Sequence, residues 1–350
     1  MSNLRIMLVH PGATWSTHDI WWGVKQALER ADVEVIHIAL DGRLEFSSRF
    51  LDFLYRQHQG RMPPPTEDDK MYMASAGVIV RALRFMPDWI LIIAGGNMHP
   101  DSLVLLRRAG MKLAIYLTES PYQFEQETIY AERCNVVFTG DRTAIEIFRQ
   151  YCERIYYWRP AVDRDRHFVL PDISDVPAHD VVFVGTGFIE RINLLRGIDW
   201  RGIDFGLYGN WSLLGSRNWL RRHVTGGLTA NEKAVALYHK AKIGLNLHRT
   251  SKEYKRDTKH VSGAETINPR CYELAAAGCF FITDWRAEMD DVFGDLVPTF
   301  KTAEEAESLI RYYLEHDDER EAIAKQLPDL MEHETFDDRI RDILAVLNQP

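Results

Sequence analysis

The sequence predicts an α/β protein made of two consecutive Rossmann-like, doubly wound domains. Short β-branched apolar runs alternate with longer amphipathic stretches, which is typical of parallel sheets covered by helices on both faces. The alternation stops in a segment rich in Pro, Asp and Arg and then begins again, so we expect two such sheets. The predicted strands lie at residues 4–10, 33–40, 88–95, 112–118, 135–140 and 155–158, and then at 180–187, 203–209, 242–248, 279–284 and 296–300.

The domain limits follow from where this alternation is interrupted. We place the N-terminal domain at residues 1–165 and the C-terminal domain at 178–335, with residues 159–180 interpreted as a linker. Residues 43–75 are interpreted as an insertion with its own helix, stopped by three consecutive prolines. Residues 336–350 are expected to form a last helix that packs back on the N-terminal domain.

Composition narrows the class of protein. The 42 Lys and Arg residues against 51 Asp and Glu residues give a net charge of −9, which argues against a general polyanion binder but leaves room for a local basic groove. The four cysteines have neither metal-site spacing nor the density of a disulfide scaffold. No signal peptide is evident, and no apolar run approaches the roughly 20 residues needed to span a bilayer. We therefore expect a cytoplasmic location and no membrane span.

A helix beginning near residue 269 carries the strongest candidate site. Asn268 suits an N-cap, Pro269 the first helical position and Gly278 the turn after the last residue. Arg270 is electrostatically disfavoured in the first turn of a helix, and a bound anion such as a pyrophosphate would remove that conflict. Asn268 and Arg270 are therefore candidate donor-binding residues.

Glu273 lies on the same helix among apolar and small residues. A carboxylate there can accept two hydrogen bonds from the vicinal diol of a ribose. The alternative is that Arg270 and Glu273 form an i,i+3 pair on the surface. Glu265 precedes Glu273 with seven residues between them. Burying a carboxylate costs free energy unless a partner binds it, so each of the two needs a partner if it is buried.

Two further stretches of the second domain end predicted strands. The first strand leads into Gly185-Thr186-Gly187 and Arg191, a pattern that lets backbone N–H groups and a guanidinium approach a phosphate, although a plain tight turn is the alternative. Another strand ends in His248 and Arg249, which we expect near the same site, although a strand-end His is often structural. Residues 251–264, rich in Lys and Arg, are either a solvated loop or a lid over the phosphates.

The N-terminal domain offers candidates for proton transfer and for acceptor binding. Glu119 follows a predicted strand, where carboxylates line the ligand crevice of open α/β sheets, although a helix cap is the alternative. His18 and Asp19, with His10, are weaker candidates for a general base. Asn97 follows another strand and is a candidate acceptor contact.

Several of these stretches together resemble a known family. FVGTGFIER (183–191), LYGNW (207–211), KAKIGLNLHR (240–249) and INPRCYELAAAGCFFITDW (267–285), in this order, resemble the CgeB-type (spore maturation protein) branch of the GT-B glycosyltransferases. The resemblance is strong over residues 180–325 and looser before them. It implies a GT-B architecture, in which two Rossmann-like domains face each other across a cleft and the C-terminal domain binds a nucleotide-sugar donor.

The resemblance also implies roles for individual residues. In related retaining enzymes a pair of glutamates separated by seven residues marks the donor site, so Glu273 would hold the ribose and Glu265 would approach the sugar. Gly185 and Gly187 would lie at the phosphates, and Arg191 and Arg270 would face the diphosphate. The donor is expected to be UDP-linked, with no cofactor and no metal, because cationic side chains and a helix terminus can stabilise the leaving diphosphate.

The acceptor is the least determined partner. Trp15, Trp21 and Trp22 lie close together after the first strand, and tryptophan faces stack on sugars and on bases alike. The alternative for Trp21 and Trp22 is that they partly serve as core of the first helix. We favour a saccharide or glycoconjugate, with duplex DNA carrying a hydroxymethylated base as the alternative because Arg and aromatic residues alternate in the segment 43–75. Two hypotheses from different classes are a non-catalytic spore or surface structural protein and a nucleotide-sugar epimerase. The sequence does not fix the oligomeric state.

Overall fold

The computed structural model describes residues 4–12, 17–58, 60–169, 172, 175–227 and 229–349. Contacts between Cα atoms divide the chain into two units. The first unit is Met1–Arg159 together with Phe336–Pro350, and the second is Pro160–Thr335. Each unit contains one parallel β-sheet, as the sequence predicts.

The first unit is built on a six-stranded sheet in the order β2-β1-β3-β4-β5-β6. All six predicted runs contain one of its strands, which are β1 (Arg5–His10), β2 (Glu34–Ala39), β3 (Trp89–Ile93), β4 (Leu113–Leu117), β5 (Val136–Thr139) and β6 (Ile155–Tyr157). Strands β3, β4 and β5 are buried along their whole length, whereas the edge strands β2 and β6 are partly exposed. The expectation of burial on both faces is therefore wrong for the edges, where one side of the strand lacks a neighbour.

Six α-helices are described between residues 18 and 148 of the first unit. They are α1 (His18–Arg30), α2 (Asp41–Gln57), α3 (Glu67–Phe85), α4 (Pro100–Arg108), α5 (Phe124–Ala131) and α6 (Ile145–Phe148). The predicted insertion at 43–75 contains most of α2 and the first half of α3. Since Val78 and Ala82 of α3 are fully buried, α3 belongs to the core of the unit. Thr66 and Asp69 form a capping box that starts α3 after the three prolines.

The second unit is built on a five-stranded sheet in the order β11-β10-β9-β7-β8. Its strands are β7 (Val181–Val184), β8 (Phe205–Tyr208), β9 (Ile243–Asn246), β10 (Phe281–Asp284) and β11 (Thr299–Phe300). The α-helices described in this unit are α7 (Arg164–His167), α8 (Ile189–Gly197), α9 (Asn231–Lys240), α10 (Pro269–Ala276), α11 (Glu288–Val292), α12 (Ala303–Glu315) and α13 (Asp317–Leu330). In each sheet the first strand of the unit has neighbours on both sides, β2 and β3 around β1, and β8 and β9 around β7. Connections therefore leave in opposite directions there, which opens a crevice at the carboxyl ends of the strands.

Part of the segment interpreted as a linker is structured. Asp163 is buried and caps α7, its Oδ1 accepting a hydrogen bond from the backbone N of Asp165 at 2.9 Å. The backbone N of Val162 donates to the carbonyl oxygen of Glu334 at 2.9 Å, within the same unit. The described residues that follow Arg159 thus begin the second unit.

The last helix, α14 (Phe336–Leu347), returns to the first unit. Arg30 at the end of α1 forms an ion pair with Asp337 at 2.8 Å. Gly23 faces the ring of Phe336 so closely that a Cβ on Gly23 would lie 2.2 Å from it. Among the described residues, no helix combines the length and apolar character needed to cross a bilayer.

Candidate functional site

Helix α10 begins at the predicted position in the second unit. Pro269 is its first residue, and Gly278 follows its end with a φ of +65°, the left-handed conformation that glycine adopts readily. Asn268 occupies the N-cap position, but its side chain makes no capping hydrogen bond, so that part of the prediction is wrong. Instead its Nδ2 donates to the carbonyl oxygen of Leu247 at 3.4 Å. The start of α10 therefore lies beside the chain that leaves β9.

Arg270 and Glu273 form an ion pair within the first two turns of α10. This is the i,i+3 pair that the sequence offered as an alternative, but it is not a surface pair, since Glu273 is only 9% exposed. The guanidinium of Arg270 also lies 5.7 Å from the ring centre of Tyr238. A carboxylate held in this way keeps acceptor capacity for further donors, so the predicted ribose contact remains a prediction.

His248 is buried behind α10. Its Nδ1 lies 2.9 Å from Asp284 Oδ1, and its backbone N donates to the same oxygen at 2.8 Å. Burial lowers the pKa of the His248 imidazole, although Asp284 opposes this effect. Burial acts to raise the pKa of Asp284, but His248 and Arg286 outweigh it and lower that pKa. His248 therefore ties the end of β9 to the end of β10, and its predicted donor contact is untested.

The Gly185-Thr186-Gly187 loop is packed tightly against the end of β8. Gly187 N donates to the carbonyl oxygen of Asn210 at 2.8 Å, and a Cβ on Gly187 would lie 2.3 Å from the ring of Trp211. Arg191 is buried, and its Nη1 donates to the carbonyl oxygen of Thr186 at 2.9 Å. Gly187 is thus required by packing, whether or not a phosphate binds.

Gly209 gives a direct test of this packing. It has a φ of +109°, and a Cβ there would lie 2.2 Å from the carbonyl oxygen of Gly185. Gly209→Ala is expected to destabilise the second unit by about 1–3 kcal/mol because the backbone conformation is strained for alanine and the loop has to move. Thermal unfolding measures this effect, with Gly227→Ala as the matched control because no atom lies within 4 Å of its Cβ position. Equal midpoints for the two variants would contradict the expectation.

The basic segment 251–264 begins as an anchored hairpin. Ser251 pairs with His260 in an antiparallel bridge, and Glu190 of α8 accepts hydrogen bonds from the backbone N atoms of Thr250 at 2.7 Å and Ser251 at 2.9 Å. The Tyr254 hydroxyl lies 3.0 Å from the Oγ of Ser212. This part of the segment is therefore attached at both its base and its tip.

The guanidinium of Arg249 is occupied at the base of that hairpin. Its Nε donates to the carbonyl oxygen of Ser251 at 2.6 Å, and its Nη2 donates to that of Lys252 at 2.5 Å. The group also lies 4.8 Å from the ring centre of Phe188. These contacts give Arg249 a structural role in holding the hairpin, and its predicted donor contact remains a prediction.

Two side chains that the sequence did not single out hold the segment before α10. Glu288 is fully buried, and its Oε2 accepts a hydrogen bond from the backbone N of Ile267 at 2.8 Å. Arg286 donates to the carbonyl oxygen of Thr266 at 2.6 Å. Glu265 lies in this segment, half-buried, and its carbonyl oxygen accepts from Glu288 N at 3.1 Å. In the parts of the chain that are described, no three His, Cys, Asp or Glu residues form a group that could hold a metal ion.

The first unit has its own candidate site, a cavity of about 350 Å³ at the carboxyl ends of its central strands. Asn97 follows β3, Thr118 and Glu119 follow β4, and all three line the cavity. Thr17, at the start of α1, lines it as well. The structure thus brings two predicted residues, Glu119 and Asn97, to one cavity.

A second acidic residue of this cavity, Glu127 on α5, was missed from the sequence. It is 4% exposed, lines the cavity, and accepts hydrogen bonds from Glu119 N at 2.9 Å and from the Ser120 hydroxyl at 2.5 Å. Burial raises the pKa of Glu127 to about 7. The available signal was its helical spacing from the buried Tyr130 and Ala131.

The tryptophans of α1 divide between core and surface. Trp21 is 5% exposed and stacks on His10 with ring centres 3.8 Å apart, so it is part of the core, and its acceptor contact stays a prediction. His10 is buried too, and burial lowers its pKa to about 4. Trp22 is half-buried and lies edge-on to Trp21.

The remaining candidates at the start of α1, His18, Asp19 and Trp22, do not line the cavity. His18 and Asp19 are half-buried. Neither they nor Trp22 are among the described residues that line it. Thr17 takes the N-cap position of α1 without a side-chain capping hydrogen bond. Trp15 lies outside the described residues.

Comparisons with known proteins agree with the family resemblance seen in the sequence. Residues 188–345 match the family described as "Glycosyl transferase-like". The spore protein CgeB of Bacillus subtilis (strain 168) is 21% identical over 268 residues, covering 75% of this chain and 83% of that protein. The chain is similar to CgeB. The resemblance found in the sequence is thereby confirmed.

Solved structures show that this CgeB-like chain has the GT-B fold. A sucrose-phosphate synthase from Thermosynechococcus elongatus superposes with a TM-score of 0.65 at 11% identity, covering 98% of each chain. A UDP-GlcNAc 2-epimerase from Neisseria meningitidis, solved bound to UDP-GlcNAc, superposes with a TM-score of 0.56 at 10% identity, covering 98% of this chain and 99% of that one. Transferases and epimerases therefore share this fold, which does not by itself separate them.

Proposed function

We propose that this chain is a glycosyltransferase that moves a sugar from a nucleotide-sugar donor, bound by the second unit, to a hydroxyl group of a saccharide or glycoconjugate. The observation that carries the proposal is the partly buried Arg270–Glu273 pair at the start of α10, beside the chain leaving β9. It lies within the region that matches the glycosyl transferase-like family. A helix N-terminus with a guanidinium suits a diphosphate, and the carboxylate suits a ribose.

The chemistry needs little more than these groups. The bond between the anomeric carbon and the donor phosphate breaks, the acceptor oxygen forms a bond to that carbon, and the acceptor proton passes to a base. The leaving nucleoside diphosphate carries the developing charge, which Arg270 and the amides at the start of α10 stabilise. UDP is the favoured nucleotide, since an epimerase of the same fold is bound to UDP-GlcNAc.

Ligand-dependent thermal stability tests donor binding. A ligand that binds only the folded state raises the unfolding midpoint by mass action, so UDP, GDP, dTDP and their sugars can be ranked on the purified protein. We expect the UDP series to give the largest shift. If none of these compounds shifts the midpoint, the donor site is refuted, and a non-catalytic structural protein becomes the better interpretation.

The transfer reaction is expected to proceed in EDTA. Arginine side chains and a helix terminus take the place of a metal at the diphosphate, so removal of divalent ions should leave the rate unchanged within about twofold. The assay follows release of nucleoside diphosphate with and without acceptor. Loss of activity in EDTA that Mn²⁺ or Mg²⁺ restores would contradict metal independence, and turnover of the donor without acceptor would favour an epimerase or a hydrolase.

Duplex DNA remains the alternative acceptor. The Arg-containing segment 43–75 includes most of α2. On this helix Arg49 pairs with Glu45 at 2.5 Å, whereas Phe46 and Phe50 stack on each other and are exposed. The charge available to a phosphate backbone is thus partly neutralised on that helix. Mobility shifts over a salt series decide the matter, because tight binding that weakens steeply with salt would favour DNA.

A further inference from the structure

The cavity at the strand ends of the first unit carries an inference about the acceptor. Three of its polar side-chain atoms make no hydrogen bond with any described residue: Thr17 Oγ1, Asn97 Nδ2 and Thr118 Oγ1. Thr17 is itself only 7% exposed. A buried polar group without a partner costs free energy, so three of them around one cavity point to a ligand that hydrogen-bonds there.

The charge of the cavity restricts that ligand. Glu119 and Glu127 line it, and none of the other described lining residues is lysine, arginine or histidine. A phosphate group placed there would meet two carboxyl groups and no cation. The cavity therefore disfavours phosphorylated sugars and the phosphate backbone of a nucleic acid.

The size and the donor set fit a single sugar ring. A volume of about 350 Å³ is at the low end of the range for small-molecule pockets. Hydroxyl groups both donate and accept, so they can satisfy the two threonine oxygens, the Asn97 amide and a carboxylate together. Glu127 uses its carboxylate for Glu119 N and the Ser120 hydroxyl, which leaves acceptor capacity for a ligand hydroxyl.

We propose that this cavity binds an uncharged sugar ring, so that the acceptor of the transferase is a neutral saccharide rather than a sugar phosphate or a nucleic acid. Only the identification of this sugar as the acceptor rests on the proposed function. The binding preference itself depends only on the first unit. In this assignment Glu127 and Thr118 contact hydroxyl groups of the sugar directly.

Ligand-observed NMR and calorimetry on the full chain test the preference. The probes are glucose, galactose, mannose and N-acetylglucosamine, together with glucose 6-phosphate and mannose 6-phosphate, each with and without saturating UDP. We expect at least one neutral sugar to bind about tenfold more tightly than either phosphate. Equal or tighter binding of a phosphate, or no binding of any neutral sugar, would overturn the proposal.

Variants of the cavity test the individual contacts. Thr118→Val should weaken sugar binding about threefold or more, with an unchanged or raised thermal midpoint because it removes a buried hydroxyl that lacks a protein partner. Glu127→Gln should weaken sugar binding about tenfold or more, since a charge-assisted hydrogen bond is lost. Glu125→Gln, on the exposed face of the same helix, is the matched control and should leave sugar binding unchanged.

Different results would refute the sugar-binding cavity and the nucleotide-sugar transferase. If UDP binds but no neutral sugar does, or if Thr118→Val and Glu127→Gln bind sugar as tightly as the parent, the cavity assignment is wrong while donor binding stands. If neutral sugars bind with the expected preference but no nucleotide binds, the transferase is refuted and the sugar site stands. Retained UDP binding and a thermal midpoint at or above the parent's show that each variant is folded.

Discussion

Glu273→Gln is expected to weaken binding of the nucleotide sugar by about 10- to 100-fold, because a charge-assisted hydrogen bond to the ribose is replaced by a weaker one. The amide keeps the shape of the side chain, and its oxygen can still accept from Arg270, so the fold should persist. Calorimetric titration with UDP measures the change. Glu232→Gln, an exposed carboxylate of the same unit on α9, is the matched control and should bind normally. Parent-like affinity in Glu273→Gln would remove the donor-site assignment.

Substitution of Arg270, the ion-pair partner of Glu273, is a less specific probe of nucleotide binding. Arg270→Ala removes the cation from the ion pair and leaves a 9% exposed carboxylate without it, so the second unit should lose about 2 kcal/mol of stability in addition to affinity. Adding Glu273→Gln to Arg270→Ala should recover part of the stability and none of the affinity, a difference that separates the ion pair's structural role from its binding role.

Glu127→Gln is expected to stabilise the first unit above neutral pH. The pKa of Glu127 in the folded chain is about 7 against an ordinary value of 4.5, so ionisation costs more in the folded state than in the unfolded one. Below about pH 4.5 the group is protonated in both states and contributes nothing. Between 4.5 and 7 the unfolded chain binds fewer protons, and stability falls as pH rises. Above pH 7 the full cost of about 3 kcal/mol is present, and the glutamine variant avoids it.

Thermal midpoints from pH 4.5 to 8.5 measure this difference. The gap between Glu127→Gln and the parent should be near zero at the acid end, widen up to pH 7 and then stay constant. Glu125→Gln, which changes the same charge on the exposed face of α5, should follow the parent throughout. A constant gap over the whole range would mean that Glu127 titrates normally.

The elements could be predicted from the sequence where burial is uniform. All eleven predicted runs contain strands, because strands of a parallel sheet are apolar over their whole length. The start and end of α10 were also predictable, since Pro269 and Gly278 act through local backbone geometry. Asn268 was not, because the environment of its side chain depends on Leu247, which comes from another strand end.

The residues that were missed depend on contacts distant in sequence. Glu288 serves the backbone of Ile267, 21 residues earlier, and nothing in its own neighbourhood marks it as buried. Which of Trp21 and Trp22 lies in the core could not be predicted, because the partners of Trp21, His10 and His37, lie on two strands. Glu127 looked like one of several charges on a short helix. Its helical spacing from Tyr130 and Ala131 is a local signal, but the burial itself follows from the packing of α5 against β4.

The return of α14 to the first unit has a consequence for how the protein is made. Synthesis runs from the N-terminus, and domains commonly fold in the order in which they leave the ribosome. Here the first unit lacks a helix that packs on α1 until residues 336–347 have been synthesised, whereas the second unit is complete at Thr335. The face of α1 around Gly23 therefore remains without α14 while the roughly 180 residues of the second unit are synthesised. The order of completion is thus the reverse of the order of translation, and the nascent first unit is the part that a chaperone would find exposed.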